Sequence, residues 1–360
     1  MKKIIAMLSV VLFSFGVAKA GELTVTGSAK ASYSISSSDG TAAANNLNKG
    51  LGISNEFTLG ASGELDNGYT WNYAIDIEDG GSGGNDDAKL TLATPQGTLG
   101  VFIGEGGLGV DNAASQSVIS RPSDTSYAEG MYDTYDIESY NNIQYHTPAG
   151  LLPYGISFKV GHAPSGQGTT SNDFKAVGAI NSETSTTDDS ATGGITAAIK
   201  GASATQYQVK IAEIPMLDGF TVGADYFELS GGNGSSQQKP ESGSYYATYA
   251  AGPAVIGYAK NFTSFPVNVT TSDTLESVEN TKYSIGVNVN DNLSISYENE
   301  KSNPQTTRNA TQYEMTSTGI QAAYTMGGMT LGVAMNDHEN ATYTENKDVK
   351  DTVFTVEMAF

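Results

Sequence analysis

Asp351-Thr-Val-Phe-Thr-Val-Glu-Met-Ala-Phe360 ends the chain, and its periodicity decides the fold. Steps of two back from Phe360 collect Met358, Val356, Phe354 and Thr352 on one face and leave Ala359, Glu357 and Thr355 on the other. This alternation is the signature of a strand. A strand apolar on one side, polar on the other and closing on an aromatic suits a sheet whose outer face meets lipid. Taken alone, the ten residues fit an edge strand of a soluble domain better, so the remainder of the chain must arbitrate.

The amino end reads as an export leader. Lys2 and Lys3 precede an apolar run from Ile4 to Val17, followed by Ala18-Lys-Ala20, a small-x-small cleavage pattern. The expected organisation is a signal peptide over 1–20 and one domain over 21–360. No later stretch has the eighteen or so apolar residues of a spanning helix, so a membrane-bound product would be a barrel, which also satisfies its own backbone hydrogen bonds in hydrocarbon. Without Lys2, Lys3 and Lys19, the 18 basic residues become 15 against 39 acidic, a net of −24. Such a chain is a poor nucleic-acid binder. With 0 Cys, neither a disulfide framework nor thiol chemistry is available. The 20 Tyr outnumber 12 Phe and 1 Trp, which suits rings placed at a water boundary.

Working outward from the carboxyl end, the same alternation recurs along the chain. Leu23, Val25, Ala29, Ala31 and Tyr33 oppose Thr24, Thr26, Ser28, Lys30 and Ser32; Tyr69, Trp71, Tyr73, Ile75 and Ile77 oppose Thr70, Asn72, Asp76 and Glu78. Tight turns such as Asp66-Asn-Gly68, Pro95-Gln-Gly97, Asp291-Asn292 and Gly327-Gly328 alternate with long polar loops, among them 36–50, 163–203 and 230–242. A sandwich or solenoid has no reason to place short connections at one end and long ones at the other, whereas an outer-membrane barrel does. The pattern predicts an all-β, transmembrane antiparallel barrel of about 16 strands, with short periplasmic turns and long external loops.

The leader, the opening strand Gly21-Glu-Leu-Thr-Val-Thr-Gly27, the alternation of turns and loops, a long insert after the fifth strand and the terminal aromatic resemble the general diffusion porins of Gram-negative bacteria. That resemblance implies a homotrimer of 16-stranded barrels in the outer membrane, in contact with its lipid and lipopolysaccharide. Each barrel would hold a water-filled channel for small hydrophilic solutes and ions, with the third loop folded into the pore. It also implies that the amine of Gly21 and the carboxylate of Phe360 meet at the closing seam, and that the terminal aromatic strand guides assembly. No cofactor, metal or catalytic residue is implied.

The insert from Gly104 to Ser139 stands where that third loop belongs. Its Glu105, Asp111, Asp124, Glu129, Asp133, Asp136 and Glu138, with Arg121 as the lone base, are the expected constriction residues. The short acidic-loop motif common in enteric members is absent. By parity, Lys30, Lys89, Lys159, Lys210 and Lys282 face the lumen with Glu56, Glu64, Asp76, Glu78, Glu298 and Glu357. Five lysines against an acidic loop predict a transverse field, and the excess of acids predicts mild cation preference. Lys260 falls on the apolar parity beside Ile256 and Tyr258, which predicts a bulge or a shifted register there.

Other motifs carry less. Gly104-Glu-Gly-Gly-Leu-Gly109 matches G-x-G-x-x-G but precedes no amphipathic helix, and flexibility at a loop root accounts for the glycines. His146, His162 and His338 lie far apart in strand position, so neither a metal site nor a Ser-His-Asp group is expected. Asp86-Asp87 and Asp188-Asp189 could hold a divalent cation but read more readily as solvated loop tips. A substrate-selective channel and a barrel-anchored surface adhesin remain the alternative functions.

Overall fold

A computed structural model describes residues 23–40, 49–78, 85–124, 131–164, 203–230, 238–265, 275–306 and 313–360. Gly21, Glu129, Asp188 and Asp189 lie outside the described residues, as does the side chain of Glu78. The strands are β1 (Leu23–Gly40), β2 (Gly50–Glu64), β3 (Thr70–Glu78), β4 (Asn85–Thr94), β5 (Gly97–Ile103), β6 (Asn142–His146), β7 (Ser157–Ala163) and β8 (Ser203–Ile211), followed by β9 (Phe220–Ser230), β10 (Glu241–Ala251), β11 (Ala254–Ser264), β12 (Leu275–Asn288), β13 (Leu293–Thr306), β14 (Met315–Met326), β15 (Met329–Glu339) and β16 (Lys347–Ala359). Each pairs antiparallel with its chain neighbours, and β1 pairs with β16 to close the ring. The expected barrel and strand number are thus observed, and closure removes the unpaired edges an open sheet would present.

Alternation sorts the side chains inside out relative to a soluble protein. Val25, Ile53, Tyr73, Leu90, Val209, Ile256, Ile285, Ile320, Leu331, Phe354 and Met358 are exposed on the outer face. Gln144, Gln206, Asn280, Glu298, Gln321 and Asp351 are buried on the inner one. In water, an apolar belt of this extent would be strongly unfavourable; against acyl chains it costs nothing. Outward Tyr226 and Tyr245 lie in the long-loop halves of β9 and β10, whereas Tyr258 and Tyr283, with rings 5.2 Å apart, lie in the short-turn halves of β11 and β12.

Lys260 corrects the expectation of a bulge. The β10–β11 and β11–β12 ladders run without a register shift, so Lys260 does point outward, opposite Tyr245. There its ammonium meets Glu279 at 2.8 Å, at the level of the tyrosines, where a charged pair can reach water.

The seam shows how the terminal strand is used. Phe360 donates its N–H to Gly27 O and accepts from Gly27 N–H, both at 2.9 Å. Its ring lies over Gly27, where a Cβ would come within 3.0 Å of it, and continues onto Phe57 at 5.5 Å between centroids. A side chain at position 27 would displace the aromatic that finishes the ladder.

The buried apolar clusters do not fill the barrel's centre. Each joins the 104–141 loop or the chain leading from it to the wall: Leu108, Ile137 and Tyr140 pack with Ala163, Ala204 and Phe227; Val110 and Ala114 with Tyr246 and Ala259; Met131 with Met315. Fully burying a Leu or Ile contributes about 1.5–3 kcal/mol, and Leu108 and Ile137 are both fully buried. The barrel wall gives the loop the apolar partners it lacks by itself.

Candidate functional site

The loop between β5 and β6 enters the lumen and runs along the wall in two passes. On the outward pass Val110 N–H donates to Asp225 at 3.1 Å, Ser284 donates to Ala114 O, Ser115 and Ser117 donate to Glu298, and Ile119 N–H donates to Gln321 at 2.9 Å. On the return pass Ser123 N–H donates to Glu300, Asn280 to Tyr132 O, Thr263 to Asp133 O, Tyr135 N–H to Ser242, and Ile137 N–H to Gln206. These partners belong to β8 through β14, so the loop covers that arc of the inner wall. A row of inward glycines makes the close approach possible. Cβ atoms at Gly257, Gly286, Gly319 and Gly332 would run into Ala114, Gln116, Pro122 and Ile119 respectively. The loop also meets β7 at Gly161 and Ala163 and β15 at Gly332, so the open lumen lies against the remaining arc, β16 and β1 to β6.

Two predicted wall charges belong elsewhere. Lys282 is on the expected face, but its side chain is only 3 % exposed, lying between Asp111 at 3.6 Å, Asp133 at 3.2 Å and Glu300 at 3.7 Å. Glu298 is also buried, accepting from Ser115 and Ser117. Both hold the loop in place and do not line the channel. Parity fixes which side of the sheet a residue occupies; it carries no information on whether another segment covers it. Lys89 binds Glu105 at the loop root, and Lys30 faces Glu357 at 3.9 Å. Of the five predicted lysines, Lys89 and Lys282 meet loop carboxylates in direct ion pairs, Lys30 pairs with Glu357 on the wall, and only Lys159 and Lys210 are without a carboxylate partner among the described residues.

The loop's own charges converge. Arg121 bridges Asp124 at 2.5 Å and Asp133 at 3.0 Å and reaches Glu300 at 3.7 Å, while a further N–H donates to Asn112. Asp136 accepts from Leu108 N–H at 2.9 Å and Gly109 N–H at 2.6 Å, tying the two passes together. Asp111, Arg121, Asp133, Asp136 and Glu138 line one recess of about 540 Å³. Burial pushes the Asp111 carboxyl up to about 6, a rise that Lys282 offsets only in part. Burial also raises Asp136 despite its backbone N–H partners. For Asp133, burial acts in the same direction, but Lys282 and Arg121 outweigh it and hold the group at about 2. Arg121 is pushed the other way by burial, yet Asp133, Glu300 and Asp124 leave it more basic than usual.

Glu56, Glu64 and Asp76 lie on the open arc, with Glu56 and Glu64 exposed. Sequence reading missed Glu300, although it continues the inward parity of Glu298, and missed Asp225, Gln206 and Gln321 as the loop's acceptors. The glycines of Gly104–Gly109 are also better explained by geometry than by flexibility. Gly104 and Gly106 have φ of +64° and +88°, and the site of a Gly106 Cβ is occupied by Gln144 and Phe102.

One histidine also departs from expectation. His338 Nδ1 and Ser317 Oγ are 2.9 Å apart, and His338 Nε2 lies 2.9 Å from Asp351 Oδ1, so register brings Ser, His and Asp together from β14, β15 and β16. All three are buried, and each strand's backbone N–H groups are taken by ladders on both sides. Among the described residues the backbone N–H groups beside Ser317 are engaged in the β13–β14 and β14–β15 ladders and do not form an oxyanion hole. The group ties three strands together as a polar network.

The geometry defines a closed sixteen-stranded barrel, apolar outside and polar within, whose lumen is narrowed by an inward loop: the architecture of a membrane-spanning pore. Solved porins share it. An anion-selective porin from Comamonas acidovorans superposes with a TM-score of 0.65 at 12 % identity, over 94 % of this chain and 100 % of that one. A porin refined at 1.8 Å gives 0.60 at 16 % identity, over 94 % and 100 %. A loop-deleted form of OmpT, an outer membrane protein of Vibrio cholerae, gives 0.63 at 10 % identity, over 95 % and 100 %. No family model and no curated protein matches the chain. The chain therefore has the porin fold.

Proposed function

We propose that the protein is an outer-membrane porin that passes small hydrophilic solutes and ions by diffusion and performs no catalysis. The observation that carries this reading is the latched loop. A barrel serving only as an anchor needs no segment held inside its lumen by ten hydrogen bonds to the wall, whereas a sieve needs one that does not move. Mild cation preference is supported by the carboxylates of the recess and of the open arc, including Glu56, Glu64 and Asp76. The fold itself sets no sign, since one structural neighbour is described as anion-selective.

Assembly as a homotrimer is supported by the outer faces of β1, β2 and β3. Leu51, Ile53, Tyr33, Ile35, Phe57 and Tyr73 are exposed there, and no charged side chain shares their parity among the described residues. Contact with lipid and lipopolysaccharide headgroups is supported by outward ion pairs toward the long-loop ends, Lys260–Glu279, Lys301–Glu314 and Lys350–Asp337. A substrate-selective channel is the second reading, favoured by the recess with its four carboxylates and Arg121. Reconstitution of the purified protein in planar bilayers tests both. Stable conductance steps in threes are expected; saturable current block by one solute class would favour the second reading, and a sealed bilayer would leave the adhesin.

A further inference from the structure

From the arrangement of Lys159 and Lys210 we infer an oxyanion-binding site on the inner wall of β7 and β8, on the short-turn side of the constriction loop. The two lysines occupy a diagonal position on neighbouring strands, Lys159 lying opposite Gln208 and Lys210 opposite Ser157. Diagonal neighbours on one face stand roughly 7–8 Å apart at their backbones, a separation that two flexible ammonium arms close onto one anion. Like charges this close repel, and an acidic chain offers many ways to neutralise them. None is used. Neither lysine has an ion pair among the described residues, although Lys30, Lys89 and Lys282 all do.

The surroundings leave the pair free for a ligand. Asp225, the inward carboxylate on neighbouring β9, is buried and accepts from Val110 N–H and from Gln206 at 3.0 Å. Gln208, between the lysines and the loop, donates to Leu108 O at 2.9 Å, which places the site directly beneath the loop root. His146 stands opposite Lys159 and gives its Nε2 to Gln144 Oε1 at 2.7 Å, bounding the site on the β6 side. Lys210 is exposed and Lys159 half-buried, so both are open to the lumen.

Two ammonium groups converging from one wall recognise an anion with at least two charged oxygens, of the phosphate or dicarboxylate class, better than a halide. Such a site gives the channel opposite polarities on the two sides of the loop root: carboxylates in the recess, a cationic step below it. This inference rests on the reading of the lumen as water-filled.

Inorganic phosphate is the probe. Intact protein in detergent is treated with an amine-acetylating reagent at constant ionic strength, in phosphate or in chloride, and the modification of each lysine is followed by peptide mass spectrometry. Phosphate is expected to slow acetylation of Lys159 and Lys210 by about threefold or more, as charge-assisted contacts to both arms would, and to leave Lys30 unchanged. Succinate in place of phosphate distinguishes the two oxyanion classes. K159Q, checked for heat-resistant folded migration, should remove the protection of Lys210. Equal rates in phosphate and chloride, equal slowing at Lys30, or undiminished protection of Lys210 in K159Q would each overturn the site. Conductance steps in potassium chloride do not depend on it, so failure of the channel reading would show separately.

Discussion

Lys282 is the side chain on which the loop's position depends most. It lies among Asp111, Asp133 and Glu300, and Glu300 is fully buried with Arg121 as its other cation. Removing one partner of a buried ionic group costs about 3–5 kcal/mol, because the remaining charge is left without compensation. K282M should therefore loosen the loop while the ladders hold: single-channel current becomes noisier and larger, with unchanged heat-resistant migration. Adding E300Q should recover part of the loss, and equal noise in wild type and K282M would remove Lys282 from this role. Asp111 gives a pH signature. Its raised pKa means that the folded protein binds a proton more readily than the unfolded chain, so this carboxyl destabilises the seated loop above about pH 6 and is relieved as pH falls toward its ordinary 3.8. Protonation also removes a negative charge from the recess. Cation current should fall between pH 7 and 5, and D111N should start lower and show no such step. The site was half legible in sequence: the acids of the insert and Arg121 could be named, because composition is local. What covers Lys282 and Glu298 could not, because that depends on where a loop 149 or more residues away from them comes to rest.

At the scale of elements, alternation was a strong guide because every strand has one face in lipid and one in water, so period two is imposed without interruption. β3 runs close to where the pattern puts it, over Thr70–Glu78. Strand ends were less legible. β1 continues to Gly40 through Ser36, Ser37 and Ser38, since polar residues pair as well as apolar ones once a neighbouring strand supplies the ladder. Lys260 broke the pattern for a similar reason: the outer face changes from hydrocarbon to headgroup along a single strand, and parity alone does not record depth. The seam between β1 and β16 carries the prediction at this scale. Deleting Phe360 removes two backbone hydrogen bonds, each contributing about 0.5–1.5 kcal/mol, and the ring over Gly27. G27L leaves those bonds possible but occupies the ring's place. Both should reduce the heat-resistant folded band in membranes, while pores that do form conduct normally. If G27L assembled like wild type, the ring's contact with Gly27 would have no part in closure.

For the whole molecule, the distribution of charge makes a prediction that no single residue makes. Loop and open arc together carry more carboxylate than ammonium, and the carboxylates sit in a narrow aqueous path walled by protein and lipid. Low-dielectric walls would confine the field to the path, so the proposed cation preference requires cations to be concentrated there and anions depleted. Salt limits the range of this effect: screening acts over about 10 Å at 0.1 M and about 3 Å at 1 M. Reversal potentials across a tenfold potassium chloride gradient should therefore indicate cation preference at low mean salt and approach zero as both sides are raised toward molar concentrations. The lysines beneath the loop root oppose the trend locally, so K159Q with K210Q should increase the preference, and E56Q with D76N should reduce it. A potential of the opposite sign at low salt would mean that the lysine step, and not the carboxylates, governs passage. A preference unchanged at molar salt would place its origin in contact binding within the recess, and the description as a field-controlled sieve would give way to the substrate-selective channel.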